Sequence, residues 1–180
     1  ASNNWEDRSS CILFGDGAGA AVVRAEEGEL YPSVAGSDGT MGHVLACESR
    51  VQNDWQQKEA DRKTYIDMDG TAVFKFAVRK MPEMAKSLMT QLHYTEADID
   101  WFITHQANER IIEAIARRLK SDIAKFPMNI AECGNTSSAS IPILLDEMNR
   151  SGQLKDGQKI IMAGFGAGLS WGAVYMEWHA

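Results

Sequence analysis

Residues 99–178 alternate short apolar runs with stretches whose apolar residues recur at helical spacing, and this alternation restricts the fold more than any other feature. Residues 99–104 (Ile-Asp-Trp-Phe-Ile-Thr) read as a strand, and residues 107–120 as a helix with Ile111, Ile115 and Leu119 at i, i+4 and i+8. Residues 126–130 read as a short strand. Residues 138–150 read as a helix with Ser and Thr available as its N-cap. Residues 159–163 and 172–178 read as the last strands. Upstream, Val73, Phe74, Ala77, Val78, Met81, Ala85, Leu88 and Met89 share one broad face of a helix that starts near Gly70. Pro82 is expected to kink or interrupt it. Residues 11–14, 20–25 and 31–35 read as further strands. Alternating strands and helices build an α/β layer fold.

The chain has 180 residues, enough for one domain with a real core. Its net charge of −7 argues against generic nucleic-acid binding, because nothing in bulk attracts phosphate. No run reaches the roughly 18 apolar residues of a membrane span. No charged-then-apolar leader opens the chain. Cys11, Cys47 and Cys133 are odd in number and widely spaced, which implies a reducing, cytoplasmic setting without a disulfide framework. Residues 37–62 are polar and glycine-bearing, with Trp55 isolated among them, and read as a long surface excursion.

Two stretches carry the chemistry. Thr104-His105-Gln106-Ala107-Asn108 falls where a strand gives way to a helix, and Gly134-Asn135-Thr136-Ser137-Ser138-Ala139-Ser140 falls at a second such junction. An imidazole and a carboxamide aimed at one point hold a carbonyl oxygen as it becomes negative. Asn135 with its serines also suits plain capping and turning, and the two readings differ in whether Asn135 points toward His105. His43, His93 and His179 have no metal-site spacing. Gly164-Phe165-Gly166-Ala167-Gly168 joins two strands, either as a hairpin or as a close approach to ligand. Gly15-Asp16-Gly17-Ala18-Gly19-Ala20 formally fits a dinucleotide fingerprint. That motif needs a helix next, and Val22 and Val23 point to a strand instead. Arg110, Arg117 and Arg118 fall on one side of the helix after His105, with Lys75 and Arg79 one turn apart on the long helix before it. Such charges form a solvated face or dock an acidic partner. None of the cysteines is marked as an activated nucleophile.

Taken together, residues 14–20, residues 68–75, His105 to Asn108 with Arg110, residues 134–140 and residues 165–172 resemble β-ketoacyl-acyl-carrier-protein synthase III, a condensing enzyme of the thiolase superfamily. The resemblance covers the C-terminal half of that enzyme. It implies that residues 1–180 form a thiolase-like half: a mixed five-stranded sheet packed between helices. The nucleophilic Cys would lie in the other half, so the chain is expected to be a fragment, a split subunit or a cleavage product, inactive alone. The implied reaction is a decarboxylating condensation of acyl-CoA, commonly acetyl-CoA, with malonyl-acyl-carrier-protein, without a cofactor or metal.

The same resemblance implies roles for individual residues. His105 and Asn135 would donate to the malonyl thioester oxygen. The backbone N–H of Ala167, where the family usually has Gly, would serve the other oxyanion. Phe165 would pack near the reacting sulfur. Met68, Gly70, Phe74 and Asn108 would line the acyl and pantetheine channel, while Lys75, Arg110, Arg117 and Arg118 would meet the carrier protein. The implied partners are the N-terminal half, the carrier protein, a CoA thioester and a second copy of the enzyme, and neither nucleic acid nor membrane. Two other readings stay open: a nucleotide-binding domain, and a non-catalytic thiolase-fold subunit that binds a partner chain or the carrier protein.

Overall fold

A computed structural model describes residues 3–8, 10–23, 27–47 and 65–179. Its centre is a mixed sheet of β1 (Ser33–Ser37), β4 (Trp101–Thr104), β5 (Lys159–Gly166) and β6 (Ser170–Glu177), in the order β1-β6-β5-β4. β4 and β5 run parallel, while β6 is antiparallel to both β5 and β1. A small ribbon of β2 (Leu45–Ala46) and β3 (Asp67–Met68) leads into the long helix α1 (Gly70–Gln91). Helices α2 (Glu109–Leu119), α3 (Ile130–Cys133) and α4 (Ser140–Arg150) lie between β4 and β5 in sequence.

The pleat distributes these helices over both faces, because successive side chains on a strand point oppositely. Phe102 and Ile161 join a core built with α1 and α2, through Ala77, Met81, Leu88 and Ile112. Their neighbours Ile103 and Ile160 join Leu144 and Met148 of α4 on the other face. Burying both faces explains why β4 reads as a continuous apolar run. Asp69 caps α1, its carboxylate accepting from the N–H groups of Thr71 and Ala72 at 3.0 and 2.9 Å. Asn108 caps α2 in the same way through Arg110 N–H, at 2.9 Å.

Several expectations are corrected. α1 runs unbroken through Pro82, which is itself buried. The mixed α/β sheet itself is as expected, with four strands paired among the described residues. Residues 11–13 form turns, and Phe14 makes a single parallel bridge to Asn135, because the one ladder on offer is one residue wide. Residues 20–23 form no strand; Val22 and Val23 stand in solvent, and strand preference expresses packing against a neighbour, which they lack among the described residues. Residues 24 and 25 lie outside the described residues. Residues 126–130 are not a strand either. A 3-10 turn at Ile123–Lys125 delivers Phe126 into the core, stacked on Phe102 at 4.8 Å, and Ile130 already begins α3. Within residues 37–62, Gly39–Val44 form a 3-10 turn that keeps Gly39, Thr40 and His43 exposed and is anchored by Val44, buried against Val73, Phe76 and Leu169. The remainder of that segment, including Trp55, lies outside the described residues. No helix among the described residues is long and apolar enough to cross a membrane.

Candidate active site

His105 sits one residue beyond β4. Its backbone N–H donates to the Ala163 carbonyl at 2.9 Å and carries the parallel ladder one step further. The imidazole therefore emerges at the carboxyl end of the parallel pair, where open α/β sheets gather ligands. Its Nδ1 lies 2.8 Å from the Ser140 hydroxyl. The ring meets Phe165 edge-on, with centroids 5.5 Å apart. Burial without a compensating charge pushes its pKa from 6.5 down to about 4. Near pH 7 the ring is neutral.

Gln106 is wholly buried and fully used. Its Nε2 donates to the carbonyls of Thr104 and Pro127 at 2.8 and 3.4 Å, and its Oε1 accepts from Asn129 N–H at 3.3 Å. This carboxamide ties the end of β4 to the segment that leads toward Asn135. Asn135 is held on three sides. Its N–H donates to the Leu13 carbonyl at 2.8 Å and its carbonyl accepts from Gly15 N–H at 2.9 Å. Its side-chain Oδ1 accepts from Ser137 N–H at 2.9 Å. The amide nitrogen Nδ2 keeps no protein acceptor among the described residues.

The glycines before Ala20 serve this loop. A Cβ on Gly15 would lie 1.9 Å from the Cys133 carbonyl oxygen, and one on Gly17 would lie 2.7 Å from Ile143 Cδ1. Only a backbone without side chains fits so closely. No helix follows Gly19, so the phosphate-binding geometry of a dinucleotide fold is missing.

His105 and Asn135 open into one cavity of about 1040 Å³. The same cavity is lined by Met68 of β3, by Gly70, Phe74 and Lys75 of α1, by Asn108 and Arg110 at the start of α2, and by Phe165 and Ala167 near the β5–β6 turn. Arg117 and Arg118 are not part of it. Arg117 is exposed and pairs with Glu113 at 3.6 Å. Arg118 lines a smaller hollow of about 420 Å³ together with Lys75 and Arg79. Lys75 thus faces both spaces.

Residues 89–178 match the model of the 3-oxoacyl-[acyl-carrier-protein] synthase III C-terminal family, and residues 1–39 match that of 3-oxoacyl-[acyl-carrier-protein] synthase III. The chain belongs to the synthase III family. It is 46% identical to the β-ketoacyl-[acyl-carrier-protein] synthase III of Clostridium novyi over 178 residues, which is 98% of this chain and 55% of that relative. The crystal structure of the Aquifex aeolicus synthase III superposes with a TM-score of 0.87 at 38% identity, over 98% of this chain and 54% of the other. That of the Pseudomonas aeruginosa enzyme gives 0.84 at 36%, over 99% and 55%. The chain thus spans about 55% of the length of the curated relatives it matches.

This synthase III chain carries site residues that sequence reasoning passed over. Ser140 lay inside the expected helix 138–150 with no role of its own, yet its hydroxyl faces His105, and α4 has no side-chain cap. Leu45, Cys47 and Ile66 also line the cavity. They come from the segment around the β2–β3 ribbon, whose sequence has no pattern that would announce it. Cys133 lies 3.8 Å from Glu147 Oε1. Burial and the Glu147 charge raise its pKa, the opposite of an activated thiol. No cluster of metal ligands occurs among the described residues.

Proposed function

We propose that this synthase III chain supplies the enolate-forming half of a decarboxylating condensation that starts fatty acid synthesis. The acyl group, acetyl from acetyl-CoA, rides on a cysteine of an N-terminal half outside this chain, and malonyl-acyl-carrier-protein is the second substrate. The C–C bond to the malonyl carboxylate breaks, carbon dioxide leaves, and the electron pair moves toward the thioester carbonyl. Negative charge collects on that oxygen during the step. His105 Nε2 and Asn135 Nδ2 donate to it, and donors in this position favour the transition state over the neutral thioester. The enolate carbon then attacks the acyl thioester, and the cysteine sulfur leaves as thiolate. The Ala167 N–H serves the oxyanion of that second addition, beside Phe165.

The observation that supports this reading is that each donor side chain has one polar atom engaged by protein and the other without a partner among the described residues, on a shared cavity. A neutral imidazole suits the role, because the oxyanion exists only briefly and a permanent cation would bind the malonyl carboxylate in the ground state. Met68, Gly70, Phe74 and Asn108 line the channel for pantetheine. Lys75, Arg110, Arg117 and Arg118 meet the acidic carrier protein. The complete enzyme is a cytoplasmic homodimer that needs no cofactor.

The test separates the half-reactions. In the complete enzyme, His105→Ala and Asn135→Ala should each slow malonyl decarboxylation by roughly 10²–10³, the scale for one oxyanion donor. Acyl transfer from acetyl-CoA should survive both. Loss of acyl transfer with decarboxylation intact would reverse the assignment.

A further inference from the structure

We propose that Ser140 is a positioning residue that fixes His105 in the tautomer carrying its proton on Nε2. The catalytic consequence rests on the condensing reading above; the geometry does not. Ser140 is the first residue of α4 and is 1% exposed. Its hydroxyl oxygen accepts from the backbone N–H of Gln106 at 3.2 Å and lies 2.8 Å from His105 Nδ1. A serine hydroxyl has one proton to give and two lone pairs to receive.

Two arrangements satisfy the distance. If Nδ1 carried the ring proton, both lone pairs of Ser140 would be taken, and its own proton, on the cavity wall in a side chain 1% exposed, would be left without a protein acceptor. Among the described residues the hydroxyl has no second acceptor. If the hydroxyl donates to Nδ1, every group in the chain of Gln106 N–H, Ser140 and imidazole is paired. Buried polar groups are satisfied wherever the geometry allows it, so the second arrangement holds. The proton of the neutral ring is then on Nε2, since the partner of one ring nitrogen decides the state of the other.

This turns the free face of the imidazole into an N–H donor. It matches the free N–H of the Asn135 carboxamide, whose oxygen is occupied in the same way by Ser137. One segment, residues 135–140, therefore holds one donor directly and sets the polarity of the other. Ser140 occupies the last position of the Gly134–Ser140 motif, within the expected helix 138–150, and its hydroxyl turns to His105.

The experiment is long-range ¹H–¹⁵N spectroscopy of the complete enzyme labelled in histidine, with the His105 signals identified by their loss in His105→Gln. Nδ1 should resonate as an unprotonated nitrogen and Nε2 as a protonated one, unchanged from about pH 8 to about pH 6. Ser140→Ala should abolish the single-tautomer pattern. It should slow decarboxylation roughly 10–100-fold, the scale for losing an orienting partner of a functional His, with acyl transfer unaffected. Ser140→Thr keeps the hydroxyl and should restore both. A proton on Nδ1 in the unaltered enzyme overturns the proposal even if no variant folds. So does a Ser140→Ala enzyme with tautomer and decarboxylation rate unchanged. An Nε2–H ring in an enzyme whose decarboxylation ignores His105→Ala sustains the tautomer assignment and refutes the condensing role instead.

Discussion

Gly15→Ala tests whether the amino-terminal strap, residues 13–19 that bond to and pack on the Asn135 loop, positions Asn135. The φ of Gly15 lies outside the left-handed region, so alanine is conformationally acceptable and would by itself stabilise by about 0.5 kcal/mol through the unfolded chain. The obstacle is contact. The new methyl would sit 1.9 Å from the Cys133 carbonyl oxygen and 3.1 Å from its carbon, both backbone atoms that cannot rotate away. The strap must retreat by roughly 1 Å or more to regain ordinary contact. That movement strains the bonds that pin Asn135, 2.8 Å to the Leu13 carbonyl and 2.9 Å from the Gly15 N–H. Two backbone bonds at about 1 kcal/mol each, with overpacking of about 1–3 kcal/mol and the small gain subtracted, give a net cost of about 2.5–4.5 kcal/mol. Amide hydrogen exchange reads this locally. The Asn135 N–H should exchange roughly 70- to 2,000-fold faster than in the parent protein. Malonyl decarboxylation in the complete enzyme should fall with it. Gly28→Ala, which meets no atom within 4 Å, is the control and should change neither. Parent-like protection of Asn135 in Gly15→Ala would refute the positioning role of the strap.

Three further predictions follow from the site. With its folded pKa near 4 against 6.5 in the unfolded chain, His105 disfavours the fold wherever the unfolded state takes up its proton. Stability should be complete above about pH 6.5, fall by at most about 3 kcal/mol toward pH 4 and then level off, and His105→Gln should flatten that dependence in denaturant titrations. Arg110→Glu should lower kcat/KM for the carrier-protein substrate more than for acetyl-CoA, with the difference shrinking in salt, and Arg118→Glu should do likewise, while Arg117→Glu should do less because Glu113 already holds that guanidinium; equal losses for both substrates would return these arginines to a solvated face. The chain alone should show no condensation from acetyl-CoA and malonyl-acyl-carrier-protein; turnover that vanished in Cys47→Ala would identify a nucleophile on the cavity wall within this chain.

The parts of the fold legible in the sequence were those decided by local pattern. β4, β5, β6, α1, α2 and α4 each present a periodicity that burial enforces. Pro82 was misleading because α1 is packed along most of its length, and tertiary contacts tolerate one missing hydrogen bond. Residues 11–14 and 126–130 show the opposite failure. Phe126 is buried as its apolar character suggests, but Ile12 is 76% exposed and the other residues of 11–14 are only partly covered, and in both segments pairing depends on a neighbour distant in sequence. At the site, His105 and Asn135 stood out because imidazole and carboxamide at strand–helix junctions are chemically specific. Ser140 did not, because a serine in the first turns of a helix carries no chemical signature, and only the approach of α4 to the end of β4 gives it a partner in His105.

The glycine run ties these observations together. Its sequence looked like a phosphate cradle, and its physical role is a close backbone approach to the loop that carries Asn135. The strap is anchored where it meets that loop and loses its packing beyond Gly19, where Val22, Val23 and Leu30 are fully solvent-exposed or nearly so. These apolar side chains have no covering neighbour among the described residues, and Trp5 and Ile12 of the same amino-terminal segment are also largely exposed, at 75% and 76%. The orientation of Asn135 therefore depends on a segment whose outer side is uncovered among the described residues. Covering that side would restrict the strap's motion and tighten the grip on Asn135 through Leu13 and Gly15, without touching the carboxamide. Under the condensing reading, the half that brings the nucleophilic cysteine would also steady one of the two donors that its acyl group requires.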